Sequence, residues 1–288
     1  MKIAVIDIGS NSVRLMIQTD GKTLYKTVRT TRLGEKLSLT GILQQGAMER
    51  TASAVKELYD TAVKECAERI CVFATAAVRS AKNGFEFTDL VKHRYGIDID
   101  VIAGEVEARI GLLGAVGKGK GGIIDVGGAS TEISVRDENR LVYNKSLNIG
   151  TVCLFDLCGG DADKLGVFIR EEIKAFGDVP LIGTMYAIGG TATTVAAVDL
   201  SLERFQEDKV HLHIISYERM RELTEQILPL SVEQRRKIKG MDLNKLDVIG
   251  GGMLLLTSVM EYLHLPSITV SCADNLEGYA IEKDLLHE

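Results

Sequence analysis

Ile3-Ala-Val-Ile-Asp7-Ile-Gly9-Ser-Asn-Ser12-Val-Arg-Leu-Met-Ile17 and Gly121-Gly-Ile-Ile-Asp125-Val-Gly127-Gly-Ala-Ser130-Thr-Glu-Ile-Ser-Val135 lie 118 residues apart throughout, without a gap. Asp, Gly and Ser recur identically, and the apolar positions agree in kind. Each copy reads as a buried strand ending in Asp, a Gly-containing turn, and a returning strand. One such hairpin is unremarkable, but two at a fixed separation imply a duplicated unit.

Outward from the first copy, Lys2–Ile8, Ser12–Gln18 and Lys22–Thr30 read as three strands. Gln44–Cys66 has apolar residues at helical spacing and reads as a long helix. Arg69–Thr75 and Ile97–Ile102 read as strands, and Ala76–Ala81, Phe85–Tyr95 and Glu105–Val116 as helices. After the second copy come strands at Leu141–Leu147, Met185–Ile188 and Ile268–Ser271. A long apolar helix is expected near Met253–Leu263, and a last helix from Leu276. Strands followed by helices in two related halves imply an α/β chain with a cleft between the halves. The boundary is placed at Gly117–Gly122, giving residues 1–117 and 118–288, with the last helix (about 276–288) available to pack back on the first domain.

The composition is globular: 45% hydrophobic and 26% charged residues, with 29 Gly and only 3 Pro. The net charge of -6 excludes a bulk basic surface for duplex nucleic acid. The charge is split, however. Residues 1–117 hold 16 Lys and Arg against 14 Asp and Glu, and residues 118–288 hold 18 against 26. A basic run, Lys22, Lys26, Arg29, Arg32 and Lys36, is broken only by Glu35. It reads either as a solvated strand face or as a wall that attracts a polyanion. The five cysteines include no C-x-x-C pair and read as small buried residues in a reducing cytoplasm. The start has no signal-peptide pattern, and the Val248–Met260 stretch is too short to span a bilayer. A cytoplasmic protein without a membrane partner is expected, and a homodimer is compatible with the sequence.

A Gly/Ser turn after a strand offers consecutive N–H groups to an anion, and an Asp at the strand end suits Mg²⁺. Two such turns would clasp a phosphate chain from both sides. Gly114–Gly121 nearly fits a P-loop, but Gly stands where Ser or Thr must ligate the metal, and the stretch follows a helix. Gly117–Gly122 fits G-x-G-x-x-G but precedes its strand, which removes the dinucleotide reading. Glu107, at the start of a helix, reads either as a base for a water or as a favourable first-turn charge. Thr75 follows a strand and could cap the helix that opens there, and Arg79 on that helix could reach an anion. Gly189-Gly190-Thr191 opens a helix after a strand and suits phosphate. Gly250-Gly-Gly252 reads equally as helix packing or ligand approach. His211-Leu-His213 reads as an exposed strand rather than a metal site, with no third ligand in view.

Six motifs occur in one order: Asp7-Ile-Gly-Ser-Asn-Ser12, Arg32-Leu-Gly-Glu35, Thr75-Ala-Ala-Val-Arg79, Gly104-Glu-Val-Glu107-Ala, Asp125-Val-Gly-Gly-Ala-Ser-Thr-Glu132 and Gly189-Gly-Thr191. In order and context they resemble the exopolyphosphatase/guanosine pentaphosphate phosphohydrolase family. The resemblance implies two actin-like (ribonuclease H-like) α/β domains with an active site in the interdomain cleft. It implies release of terminal phosphate from polyphosphate or pppGpp with Mg²⁺, Mn²⁺ being the alternative metal. By motif position Glu107 looks like the residue that activates water. Asp125 and Glu132 look like metal-site carboxylates, and Asp7 an outer-sphere partner. Gly9, Ser10, Asn11, Ser12, Gly127, Gly128, Ser130, Thr131, Gly189, Gly190, Thr191 and Arg79 would bind phosphate. Arg29, Arg32 and Lys36 would then bind the polyanion.

The chain departs from the family pattern where many members carry arginine: here Cys153 and Leu276 stand instead. The glutamate pair before Ala is reduced to Val106-Glu107. These departures weaken the expectation of tight binding to long polyphosphate. The length corresponds to the family's short two-domain form. The competing readings are an actin-like small-molecule kinase and a non-catalytic binder of polyphosphate or guanosine nucleotides.

Overall fold

The computed structural model describes residues 1–138, 140–159 and 161–283. The chain forms two compact units, one from Met1–Gly114 joined by the C-terminal stretch from Asn275, the other from Ala115–Asp274.

The first unit is built on a five-stranded sheet. Its strands are β1 (Lys2–Ile8), β2 (Ser12–Thr19), β3 (Lys22–Thr30), β4 (Arg69–Ala74) and the short β5 (Asp100–Val101), in the order β3-β2-β1-β4-β5. β1 pairs antiparallel with β2 and parallel with β4. The helices are α1 (Leu37–Thr40), α2 (Gln45–Lys64), α3 (Ala76–Ser80), α4 (Gly84–Tyr95) and α5 (Gly104–Ala115). Because side chains alternate along a strand, β1 feeds two cores. Ala4, Ile6 and Ile8 join Ala52, Val55, Leu58 and Ala62 of α2 on one face. Ile3 and Val5 join Phe73, Ile110 and the C-terminal helix Asn275–Glu282 on the other. A strand covered on both faces reads as a continuous apolar run, as Ile3-Ala-Val-Ile does.

The C-terminal helix is an integral layer of this unit. Tyr279 stacks on Phe73 with ring centroids 4.5 Å apart and donates its hydroxyl to Asp100 at 2.9 Å. Gly278 is required by close approach: a Cβ there would lie 1.7 Å from the Ile110 carbonyl oxygen. Residues 284–288, the remainder of the expected helix, lie outside the described residues.

The second unit carries a six-stranded sheet of β6 (Gly121–Val126), β7 (Thr131–Asp137), β8 (Arg140–Leu147), β9 (Thr184–Ile188), β10 (Ile214–Ser216) and β11 (Ser267–Val270), in the order β10-β11-β9-β6-β7-β8. Its helices are α6 (Thr151–Cys158), α7 (Ala162–Glu172), α8 (Gly189–Asp199), α9 (Glu207–Val210), α10 (Tyr217–Ile227), α11 (Val232–Arg235) and α12 (Ile249–Tyr262), with a 3-10 turn at Ile173–Phe176. Ile124, Val126, Ile133 and Val135 of the central strands share one large core with α8 and α12.

The two sheets repeat one plan. Each places its first three strands as an antiparallel meander and adds two parallel strands on the other side of the first. The irregularity in pairing falls between Ile17 and Gln18 in the first unit and between Val135 and Arg136 in the second. Those positions keep the sequence offset. The α/β class with two sheets is as expected from the repeat.

Three local expectations are corrected, and one of the two readings of the Gly250–Gly252 run is favoured. Only Asp100–Val101 of the strand expected at Ile97–Ile102 pairs with β4, since Ile97 turns into the α2/α4 core instead. His211-Leu-His213 is a turn, with Leu212 at φ 65°, and His213 is held by Asp199 at 2.7 Å. Cys66 is exposed rather than buried, at the end of α2. Gly250 and Gly252 serve packing: Cβ atoms there would lie 2.7 Å from Arg235 Nη2 and 2.8 Å from Thr151 Cγ2.

Candidate active site

In the first unit, β1 ends at a tight turn in which the Gly9 N–H donates to the Ser12 carbonyl at 3.0 Å. The loop after β3 fastens this turn from behind. Thr31 and Arg32 N–H groups donate to the Asn11 carbonyl, and Gly34 N–H to the Ser10 carbonyl at 2.8 Å. Arg32 reaches this position with φ 53°, in the left-handed region. Asp7 precedes the turn and is buried, its Oδ2 accepting from Arg14 Nε at 3.0 Å and from Arg14 Nη2.

Glu107 lies in the first turn of α5 and is buried. Arg79 on α3 donates through Nη1 to Glu107 Oε2 at 2.7 Å and to the Ile102 carbonyl at 3.0 Å. Thr75, also buried, hydrogen-bonds the same carboxylate. Burial pushes the Glu107 carboxyl above the ordinary glutamate value, and the neighbouring Asp7 charge adds to the rise. Arg79 and Thr75 act in the opposite sense. The result is a fixed carboxylate with enhanced basicity, suited to accepting a proton from water.

In the second unit, the Gly127 N–H donates to the Ser130 carbonyl at 3.0 Å, and Val152 N–H to the Gly128 carbonyl at 2.8 Å. Each distance equals that of its counterpart 118 residues earlier. Asp125 and Glu132 face each other as direct cross-strand partners. Glu132 is buried, and its Oε1 accepts from Ser146 Oγ at 2.7 Å. Gly189, at φ 80°, lets the chain turn from β9 into α8 against Asp125: a Cβ there would stand 2.7 Å from Asp125 Oδ1.

The other residues singled out by sequence fall into two groups. Thr131 and Thr191 are buried and donate their hydroxyls to the Ile149 and Val126 carbonyls, at 2.6 and 3.2 Å, so they also brace the turn. Arg29 is tied to Glu57 at 2.7 Å. Arg32 and Lys36 are exposed on the loop behind the first turn. Cys153 and Leu276, where the resemblance expects arginine, are both buried.

Two residues escaped sequence reasoning. Thr75 read only as a helix cap, yet makes no capping hydrogen bond to α3 and serves Glu107 instead. Lys245 lies against the N-terminus of α8, where a Cβ on Gly190 would stand 2.5 Å from its Nζ. Asp242 pairs with its ammonium at 2.6 Å. The buried Arg235 guanidinium grips the adjoining Leu246 carbonyl at 2.9 Å. Lys245 is 55 residues from Gly190 in sequence, so no local motif could have linked them.

Among the described residues, no three His, Cys, Asp or Glu side chains form a full metal cage. Asp125 and Glu132 supply two carboxylates on one face of a hairpin. That donor set fits Mg²⁺, which keeps several waters and takes one or two carboxylates together with substrate phosphate.

Residues 5–287 match the model of the Ppx/GppA phosphatase family. The chain is 30% identical over 312 residues to exopolyphosphatase 2 of Mycobacterium tuberculosis, covering 97% of this chain and 98% of that protein. It is 29% identical over 308 residues to a bifunctional 3-dehydroquinate synthase/phosphatase of Fusobacterium nucleatum, covering 97% of this chain but only 46% of that protein. It is 26% identical over 291 residues to the guanosine-5'-triphosphate,3'-diphosphate pyrophosphatase of Aeromonas salmonicida, covering 96% of this chain and 58% of that protein. Among solved structures, a Ppx/GppA family member from Aquifex aeolicus aligns with a TM-score of 0.79 at 28% identity, over 99% of this chain and 98% of that one. The repeated hairpins and the motifs around Glu107 and Asp125 are thus those of a member: the chain belongs to the Ppx/GppA phosphatase family.

Proposed function

We propose that the protein is a divalent-metal-dependent phosphohydrolase that releases terminal orthophosphate from inorganic polyphosphate or pppGpp. The observation that carries the reading is Glu107, a buried carboxylate oriented by Arg79 and Thr75 and made more basic by burial. Phosphoryl transfer asks little covalent work of a protein. It needs a placed water, charge neutralisation and positioning. Glu107 accepts the proton of the attacking water. The turns at Gly9–Ser12 and Gly127–Ser130, with Gly189, Gly190 and Lys245, offer amides, hydroxyls and one ammonium to phosphate oxygens. Asp125 and Glu132 would hold Mg²⁺, or Mn²⁺ in its place, which when bound neutralises phosphate charge. Asp7 neighbours Glu107 and its charge adds to the basicity that burial gives that carboxylate.

The relatives' names divide between polyphosphate and the guanosine nucleotide. Cys153 and Leu276, buried and uncharged, stand where the resemblance expects two arginines against the phosphate chain, which removes two contacts to a long polyanion, and Arg29 is engaged by Glu57. Short polyphosphate and pppGpp are therefore the favoured substrates. Phosphate release from short polyphosphate, long polyphosphate and pppGpp, with and without Mg²⁺, tests the reading. Glu107→Gln is expected to abolish release while retaining substrate binding. Undiminished release by that variant, or phosphoryl transfer to a sugar without free phosphate, would overturn it.

A further inference from the structure

Asn83 precedes α4 and is of a type that commonly caps a helix, yet it makes no capping hydrogen bond. Its amide goes instead to one residue 40 positions away. Oδ1 accepts from the Leu43 N–H at 2.8 Å, and Nδ2 donates to the Leu43 carbonyl at 3.1 Å. Alongside, the Lys82 N–H donates to the Gly41 carbonyl at 3.0 Å. A backbone N–H can only donate and a carbonyl only accept, so both ends of the amide are used and its orientation is fixed. Leu43 is buried in one cluster with Ala77, Val78 and Phe87, so this joint is set in the core of the first unit.

The joint stands beside the helix that carries Arg79. Asn83 ends the short linker leaving α3, and Arg79 on α3 donates to Glu107 Oε2 at 2.7 Å. With five residues, α3 has little helical stability of its own. It is pressed against the start of α4, where a Cβ on Gly84 would lie 2.0 Å from the Val78 carbonyl oxygen. We infer that Asn83 is a positioning residue for the reaction: by tying the α3–α4 junction to Leu43 it fixes α3, and through α3 it holds the Arg79 guanidinium against Glu107. The inference rests on the role of Glu107 proposed above. Asn suits this task because it offers an acceptor and a donor together. Asp would set a carboxylate against the Leu43 carbonyl, and Ala would take both partners away from Leu43. A shift of about 1 Å in a group that orients the chemistry can cost about a hundredfold in rate. The segment that ends at Leu43 begins at Thr31, behind the first phosphate turn. There it is pinned separately, by its bonds to Ser10 and Asn11 and by the buried Leu33 and Leu37. Loosening the Leu43 end therefore leaves the turn in place.

Phosphate release from short polyphosphate with Mg²⁺, measured in a double-mutant cycle of Asn83→Ala and Arg79→Gln, tests the inference. In the otherwise wild-type chain, Asn83→Ala should lower kcat roughly tenfold and leave KM within about twofold, because the phosphate turn keeps its own anchors. In the Arg79→Gln background the same replacement should change kcat by less than about twofold. Asn83→Asp keeps an acceptor for the Leu43 N–H and loses the donor, so its kcat should fall between those of wild type and Asn83→Ala. If Asn83→Ala fails to fold, Asn83→Asp takes its place in the cycle. An equal fold-loss in both backgrounds would show that Asn83 serves only the stability of the first unit, and would overturn the inference. So would an unchanged kcat in the single variant. Undiminished release by Glu107→Gln or by Arg79→Gln would instead remove the proposed role of that pair, and the inference with it.

Discussion

Glu107 is the residue at which burial and charge meet, and the signs of its neighbours' effects are fixed by the geometry. Its carboxyl is raised above the ordinary value, so the acid limb of kcat/KM should lie above the usual glutamate pKa of 4.5. Arg79→Gln removes the guanidinium that opposes the rise and should move that limb to higher pH. Thr75→Val should move it the same way by less. Asp7→Asn removes a neighbouring negative charge and should move it down. An acid limb that stays put in Arg79→Gln would refute the coupling. Stability follows the same linkage. Folded Glu107 holds its proton to higher pH than the unfolded chain does, so its contribution is greatest at low pH and declines as pH rises through the folded value. The melting-temperature difference between Glu107→Gln and wild type should therefore shift in the mutant's favour as pH rises above the ordinary glutamate value of 4.5.

Lys245 gives a second test at this scale. A charge-assisted hydrogen bond is worth about 1.5–3 kcal/mol, so Lys245→Met should raise KM roughly tenfold or more. An unchanged KM would show that the ammonium serves only Asp242. Motif reading could find Glu107 and Asp125, because Asp125 lies at the end of its strand and Glu107 in the first turn of a helix, each beside a local glycine motif. It could not find Lys245 or the second role of Thr75, because those depend on which distant loop or helix folds onto the motif.

At the level of elements, legibility followed buried periodicity. The apolar runs of β1 and β6 and the helical spacing of α2 were plain because each buries a whole face. β10 escaped notice: three residues show no usable alternation. The His211–His213 segment read as strand because a left-handed Leu212 leaves no local signature. Gly278 read as one more glycine until the C-terminal helix was seen to touch α5. Gly278→Ala would press a methyl group into the Ile110 carbonyl. Overpacking of this kind costs about 1–3 kcal/mol or more, or a drop in melting temperature of at least several degrees for a chain of this size. A thermal scan matching wild type would mean that the helix can slide away from α5.

Across the whole chain, the duplication was visible from its gapless offset, and the shared strand order follows from it. What the offset could not reveal is that the first unit is completed by residues from the far end of the chain. Leu276, Tyr279 and Ala280 seal Ile3, Val5, Phe73 and Ile110 from water. Fully burying a large apolar side chain is worth about 1.5–3 kcal/mol, so Leu276 and Tyr279 together contribute roughly 3–6 kcal/mol. That is a large share of a domain's usual net stability of about 5–15 kcal/mol. Lys26–Glu277 at 2.5 Å and the Arg109–Glu282 pair add less, being partly solvated. Ending the chain at Asp274 should therefore unfold or loosen the first unit while sparing the core of the second, which takes no side chain from that helix. Hydrogen exchange followed by peptide mapping would separate the two outcomes. Protection should collapse across β1, β2 and β4 and persist across β6, β7 and β9. Equal protection in both sheets of the truncated chain would show that the helix is an accessory and not part of the first unit's core.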